Sequence, residues 1–580
     1  MNFGVRTLLR SYQTATRCQT TNGNLTKRNS FAAASGNRAL CEIPSMTEKS
    51  QQSKSGRVGW ILGLALVLFL RSATSVEAKP AKQLFYNQDC TDFFWTSEIL
   101  AGKAGETIDR YVDVIAGAGV TVFLCNSNAR RTNYRSRVWD AFWDGYDPNG
   151  PDDQPFLTPI PKSEVAAYRK GIGNMLAVHQ QGIDYPARVI ERCRHHGISP
   201  WITLRMNDCH MNDVAAHPFH GSFWIKNPQW VRKNSPGYFA TCLDYAHPEV
   251  RDYFMTLVVE TLERYDIDGL ELDFMREPYL FSAGKESEGA LILTGWLREV
   301  RKRVVDAAAR RRHPIRIGVR VPSRPEVAPA MGLDAIAWAK EGLVDVVVAT
   351  PRWASIEFDM PISQWRQLLG ETKATLAGGL EILYRPSPGG LAATVTPELA
   401  FGAAGSVLSQ GADAVYLFNY FPSAFSASIY QSTLMSMSSL DSLQKLPRRI
   451  GVTYRDITAP GEKYQPPLPA TGREISLTMR IRPIPDARWL GNLSIELATA
   501  PSDLMPVPSV LVNGTPCEFL NENPAKEVSR LLTFRIPTAV LIKTEIHEIK
   551  IFSKDKKSLT VQLVEVALRP PDGKKVAPVR

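Results

Sequence analysis

The sequence predicts a (β/α)8 TIM barrel followed by a small C-terminal antiparallel β domain of sandwich type. Three observations carry this. Between residue 84 and about residue 440, eight short apolar runs alternate with longer amphipathic stretches, the pattern of a repeated β-α unit rather than an open sheet. Acidic, amide and arginine residues recur where those runs close, the end at which such barrels carry their active sites. Beyond Leu446 the texture changes to a Pro-rich stretch and then to alternating segments, which read as antiparallel strands.

The elements follow in order. Residues 1–82 read as a leader. Arg57 precedes VGWILGLALVLFL (58–70), an apolar run of 13 residues, followed by Arg71 and SATSVEA. A basic region, a short apolar core and a Val76-x-Ala78 ending describe a secretory signal peptide cleaved after Ala78. The alternative is an uncleaved anchor, although the run is shorter than the roughly 20 residues of a spanning helix. The expected location is therefore secreted, periplasmic or cell-envelope, with membrane contact only through that anchor. No cysteine near Ala78 offers a lipid attachment point. Met46 sits where such a signal would begin, so residues 1–45, Ser/Thr/Arg-rich and acid-poor, read as a mis-assigned start or a leader, against an organellar transit segment.

The formal net charge is +10, but residues 1–78 hold ten Lys/Arg and three Glu, leaving about +3 for the rest. That excludes a nucleic-acid partner of the polyanion-binding kind. Six cysteines follow Ala78 (Cys90, Cys125, Cys193, Cys209, Cys242, Cys517) without a CxxC pair. Neither a zinc site nor a dense disulfide framework is indicated, and no cofactor is expected.

The barrel is expected over 83–445. Its strands are LFYNQD (84–89), VTVFLCN (120–126), PWITLRMN (200–207), DGLELDF (268–274), IRIGVRV (315–321), VDVVVAT (344–350), ATLAGGLEI (374–382) and ADAVYLFNY (412–420), with helical patterns between them such as 247–265 and 294–311. A Pro-rich linker (446–473, including TAPGEKYQPPLPATG) leads to the sandwich-like domain, 474–580, with strand patterns at 475–483, 492–498, 547–553 and 559–568.

Side chains alternate across a strand. In the fourth run Leu270, Leu272 and Phe274 suit the helix layer, so Glu271 and Asp273 must point into the barrel near its rim, while Asp268 serves structural hydrogen bonds. The same phase test turns Glu381 inward on strand 7, Arg320 on strand 5, and Arg205 and Asn207 on strand 3. Strand 1 closes with Asn87 and Asp89, strand 2 with Asn126, strand 6 with Arg352 and strand 8 with Asn419 and Tyr420. With Asp208, His210 and Arg276, these are the candidate substrate-binding residues. Glu271, Asp273 and Glu381 are the candidate catalytic carboxylates, because glycoside hydrolysis uses an acid and a nucleophile or base on opposite sides of a bond. The competing reading for each is a rim salt bridge.

DGLELDFMREP resembles the D-G-x-x-x-D-[YF]-x-R-x-P signature of the bacterial glycosyl-hydrolase-like TIM-barrel family, extracellular proteins related to family 10-like glycosidases. Asp268, Gly269, Asp273, Phe274, Arg276 and Pro278 carry the match, and HPEVRDY and the segment 205–230 are also similar. The resemblance spans roughly 83–440 and implies a carbohydrate-active barrel without fixing the bond cleaved. A family 18 chitinase pattern fails: its essential acid falls on Met275, and Glu277, two positions on, is expected to point elsewhere.

In the loop 207–224, His210 or His220 is expected to hydrogen-bond sugar or carboxylate rather than hold metal. Trp139, Phe142, Trp143 and Tyr146 offer sugar platforms or a self-packing cluster. Arg205, Arg276, Arg320 and Arg352 suggest an anionic sugar, or neutralise the acidic rim. The expected function is an exported glycoside hydrolase acting on a poly- or oligosaccharide. The alternatives are a non-catalytic glycan-binding protein of the cell envelope and an anchored scaffold.

Overall fold

The computed structural model describes residues 83–571, apart from 236, 353, 499–504, 527–528 and 556. The expected signal or anchor at 58–78 and the alternative start at Met46 lie outside the described residues. Among the described residues no helix is long and apolar enough to cross a membrane.

Eight parallel strands close a barrel: β1 (Gln83–Gln88), β2 (Val122–Asn126), β3 (Ser199–Arg205), β4 (Gly269–Asp273), β5 (Arg316–Pro322), β6 (Val346–Thr350), β7 (Thr375–Glu381) and β8 (Ala414–Phe418). Each pairs with its sequence neighbours, and β8 closes on β1. All eight expected runs are strands, with ends shifted by two residues at most. Their Val/Ile/Leu-rich character follows from burial on both faces, against the barrel interior and against the helix layer.

The helices between them include α1 (Ala104–Ala116), α2 (Tyr185–His195), α3 (Pro248–Arg264), α4 (Glu286–Arg311), α5 (Ala335–Lys340), α6 (Ile362–Leu369) and α7 (Pro397–Ser409), with α8 (Ala427–Ser436) after β8. Their starts are written locally. The Asp184 carboxylate accepts from the Ala187 N–H (3.1 Å) ahead of Pro186 in α2, and Thr396 caps α7 ahead of Pro397. Such side chains satisfy amides that a helix start leaves open.

Inside the barrel, Phe85, Val122, Leu124, Trp201, Val346, Val348, Ala377, Ala414, Tyr416 and Phe418 form one apolar plug. Trp201 lies across Gly269 and Gly318; a Cβ at Gly269 would fall on the indole, and one at Gly318 would come within 3.0 Å of it. The small residues on the inward face of β4 and β5 are there to admit this ring. With the interior filled, the ionisable inward groups gather above it, at the carboxyl ends of the strands.

The C-terminal region forms two antiparallel sheets. One runs Arg448–Gly451, Leu559–Arg569, Leu490–Ala498, Ser529–Ile536, Glu518–Lys526; the other runs Glu474–Arg480, Ile546–Phe552, Ser509–Val512, Thr515–Pro516. Along Glu474–Arg480 exposed and buried residues alternate, with Ile475, Leu477 and Met479 inside, as a two-sheet packing requires.

The stretch 446–473, expected as a linker, supplies strands Arg448–Gly451 and Ala470–Gly472 to the first sheet. Arg449 is ion-paired with Glu565 inside that sheet, and Gly402 of α7 packs against the Arg449 carbonyl so closely that a Cβ could not fit. Between these strands the chain passes over the end of the barrel where the strands close. Asp456 Oδ2 lies 3.8 Å from Arg352 Nη1, and the Tyr279 hydroxyl donates to the Thr458 carbonyl (3.3 Å).

Candidate active site

β4 sets the site. Its register pairs Thr203 with Glu271 and Arg205 with Asp273 on one side, and Glu271 with Gly318 and Asp273 with Arg320 on the other. Asp273 therefore stands between two arginines in the top layer, and Glu271 stands one layer deeper. Glu271 Oε1 accepts from Thr203 Oγ1 (2.7 Å), Tyr416 Oη (2.8 Å) and Asn87 Nδ2 (3.1 Å), and Asn87 Nδ2 also donates to Tyr416 Oη (2.6 Å). Burial, and then the neighbouring Asp273 charge, pushes the Glu271 carboxyl up to about 7 against the opposing pull of Arg320 and the Thr203 and Tyr416 hydroxyls.

Arg320, fully buried, joins the two other carboxylates. Its Nη1 donates to Asp273 Oδ2 at 2.8 Å, and its Nη2 lies 3.9 Å from Glu381 Oε1. The guanidinium sits 4.0 Å from the centroid of the Phe418 ring, a cation–π contact that holds its plane. Asp273 Oδ1 accepts the Met275 N–H (2.9 Å), turning the chain as the strand ends. Glu381 Oε1 and Arg320 Nη2 face each other, and neither atom makes a hydrogen bond. Burial holds the Glu381 carboxyl well above the ordinary carboxylate range, against the opposing pull of Arg320 and Arg276.

A second chain of charges runs along the rim. Arg205 donates to Asp89 (2.5 Å) and Asp208 (3.1 Å). Asp208 Oδ1 takes the backbone N–H and Nδ1 of His210, both at 3.0 Å, and His210 Nε2 meets Arg276 Nη2 at 3.2 Å. Burial alone would raise Asp208, but His210, Arg205 and Arg276 outweigh it and hold the carboxyl well below its ordinary range. Arg352 grips Glu277 with Nη2 at 3.0 and 3.3 Å and donates Nε to the Arg276 carbonyl. Glu277 is thus buried in the rim with Arg352 as its partner. Arg205, Arg320 and Arg352 are ion-paired with acids of the site, so their presence gives no separate reason for an anionic sugar.

Other expected binding residues hold the scaffold. Asn126 Nδ2 donates to the carbonyls of Asn128 and Thr203. Asn207 brackets Leu243, donating to its carbonyl (2.9 Å) and accepting its N–H (3.2 Å). The Tyr420 hydroxyl donates to the Glu381 carbonyl (3.2 Å). Asn419 adopts a left-handed φ of 61° at the end of β8, and its N–H donates to the Asn87 carbonyl. His220 does not reach the rim: it is buried against Arg130 (2.9 Å), the Met211 carbonyl (2.9 Å) and Trp224, and burial, with the Arg130 charge, lowers its imidazole to about 4. The aromatic insertion packs on its own surroundings, with Trp139 stacked on Tyr253 (4.1 Å), Trp143 stacked on His179, Phe142 edge-on to Phe219 and Tyr146 tilted against Phe156.

Thr203 and Tyr416 join the site unannounced, although both lie on inward-facing positions that the alternation marks. Asp456 also approaches from the C-terminal region, and no strand phase points to it. Among the described residues no three His, Cys, Asp or Glu side chains converge on a common metal position.

Residues 158–289 match the family model described as Glycosyl hydrolase-like 10. That segment holds β3, β4 and the loop between them, and with them Arg205, Asp208, His210, Glu271, Asp273, Arg276 and Glu277; the match supports a carbohydrate-active function. No curated protein sequence matches the chain. Similar solved structures include the PgaB (BpsB) glycoside hydrolase domain from Bordetella bronchiseptica, at TM-score 0.37 and 10% identity, covering 62% of this chain and 99% of that one. A noncanonic maltogenic alpha-amylase, AmyB, from Thermotoga neapolitana aligns at TM-score 0.34 and 9% identity over 79% of this chain and 100% of its own. A cycloisomaltooligosaccharide glucanotransferase of Paenibacillus sp. aligns at TM-score 0.30 and 8% identity over 83% of this chain; this chain spans 57% of its length.

Proposed function

We propose that the protein is an exported glycoside hydrolase acting on a poly- or oligosaccharide, with Asp273 as nucleophile or base and Glu381 as proton donor. The observation that supports this most is the position of Arg320, with one amino group on Asp273 and the other turned to Glu381. Two carboxyl groups from β4 and β7 thereby flank one fixed cation, a carboxylate and an acid in unlike surroundings, as glycosidic cleavage requires. Glu381, raised by burial, keeps a proton to give to a leaving oxygen. Asp273 receives an arginine and a backbone N–H, the surroundings of a carboxylate. Glu271 is held by three donors on one oxygen in the deeper layer and acts on Asp273 as a positioning group.

The test is release of reducing ends from a glycan panel by the wild type, Asp273→Asn and Glu381→Gln. The reading expects a loss of about 100-fold or more in each variant; full activity in both overturns the assignment. A second reading, glycan binding without turnover, is favoured by one observation: Glu271, Asp273 and Glu381 are only 1–2% exposed. It expects retardation in glycan-containing gels with no reducing ends released.

A further inference from the structure

Two segments run side by side at the rim and carry one cysteine each. Asn207 ties itself to Leu243 through both ends of its amide, and Asn212 donates to Thr241 Oγ1. The backbone at Cys242 is fixed from both sides: its N–H donates to the Phe239 carbonyl (3.4 Å), and its carbonyl accepts the Arg232 N–H (2.9 Å). Between these ties Cys209 and Cys242 lie on adjacent segments as free thiols, and both residues are fully buried.

We propose that Cys209 and Cys242 form a disulfide when the chain folds in the presence of a small-molecule or protein disulfide. The oxidant RSSR is attacked by one cysteine thiolate, which forms a mixed disulfide and expels RS−. The second thiolate attacks the protein sulfur of that intermediate and expels the other RS−. The two protons lost by the cysteines complete two RSH, so two protein thiols are oxidised and one disulfide is reduced. In the closed fold, burial pushes the Cys209 thiol well above its ordinary range, and a protonated thiol is a poor nucleophile. Exchange therefore belongs to folding or to local opening of the 207–245 region. The cross-link fastens the loop that carries Asp208 and His210 to the segment entering α3, and it holds whether or not the protein cleaves glycans.

The test uses the folded full chain, incubated with oxidised glutathione a few degrees below its unfolding midpoint and then alkylated in denaturant. Trypsin should release peptides 206–226 and 234–251 as one joined species that separates on reduction. Closing a loop of about 33 residues in a chain of this size should place the oxidised midpoint about 3 °C above the reduced one. Cys209→Ala and Cys242→Ala should each show no redox-dependent shift. Recovery of the two cysteines as free thiols or as separate glutathione adducts overturns the proposal, and so does a redox-dependent shift that persists in both variants.

Discussion

Replacing Arg320 with Met isolates the charge that organises the site. At the observed 2.8 Å contact with Asp273, an effective dielectric constant near 20 gives an attraction of about 6 kcal/mol. Desolvation of both ions offsets part of this, and removing one member of a buried pair costs about 3–5 kcal/mol, mostly for the charge left behind. Met keeps most of the volume beside Phe418, so the loss reports charge rather than a cavity. In a double-mutant cycle, Asp273→Asn added to Arg320→Met removes the stranded carboxylate and should recover about 2 kcal/mol or more. Urea unfolding followed by tryptophan fluorescence at pH 7 measures it. If the double variant is no more stable than Arg320→Met alone, Asp273 does not depend on Arg320, and the site's electrostatic reading fails.

Two further outcomes follow from the geometry. Glu271 is raised from 4.5 to about 7 in the folded chain, so its protonated form stabilises the fold fully below pH 4.5. That contribution, roughly 3 kcal/mol, falls away as the pH rises through 7; urea midpoints between pH 4.5 and 8 should flatten in Glu271→Gln, and an unchanged slope would contradict the assignment. Gly269→Ala drives a methyl into the Trp201 indole and should cost about 1–3 kcal/mol, read as a lowered urea midpoint, whereas Gly295→Ala on α4, where a Cβ meets nothing within 4 Å, should not lower it.

The parts of the molecule governed by short periodicity were legible in the sequence. Alternation alone turned Glu271, Asp273, Arg320 and Glu381 inward, and Arg320 joins two of them, Asp273 and Glu381. Thr203 and Tyr416 obeyed the same alternation, but a hydroxyl gives no signal until its partner is known. Strand phase ends at Asp273, so nothing in the spacing shows Glu277 reaching Arg352. His220, expected to bind, packs on Arg130 instead, and the aromatic insertion, open between packing and binding, is decided for packing by the neighbours Tyr253 and Phe219. The Pro-rich stretch looked like a tether because its two strands are short and pair with segments about ninety residues or more away.

That stretch has a consequence for how the protein can be divided. A chain ending at 445 would keep every barrel strand, yet it would strip the carboxylate of Asp456 from Arg352 and the carbonyl of Thr458 from Tyr279, and lay bare the face of α7 at Gly402. The β region is therefore part of the barrel's upper wall rather than an appended module. Recombination that exchanges it for another domain has to carry residues 448–472 with the barrel, and those residues in turn require the sheet they complete. Barrel and sheet have to be cut or exchanged as one piece.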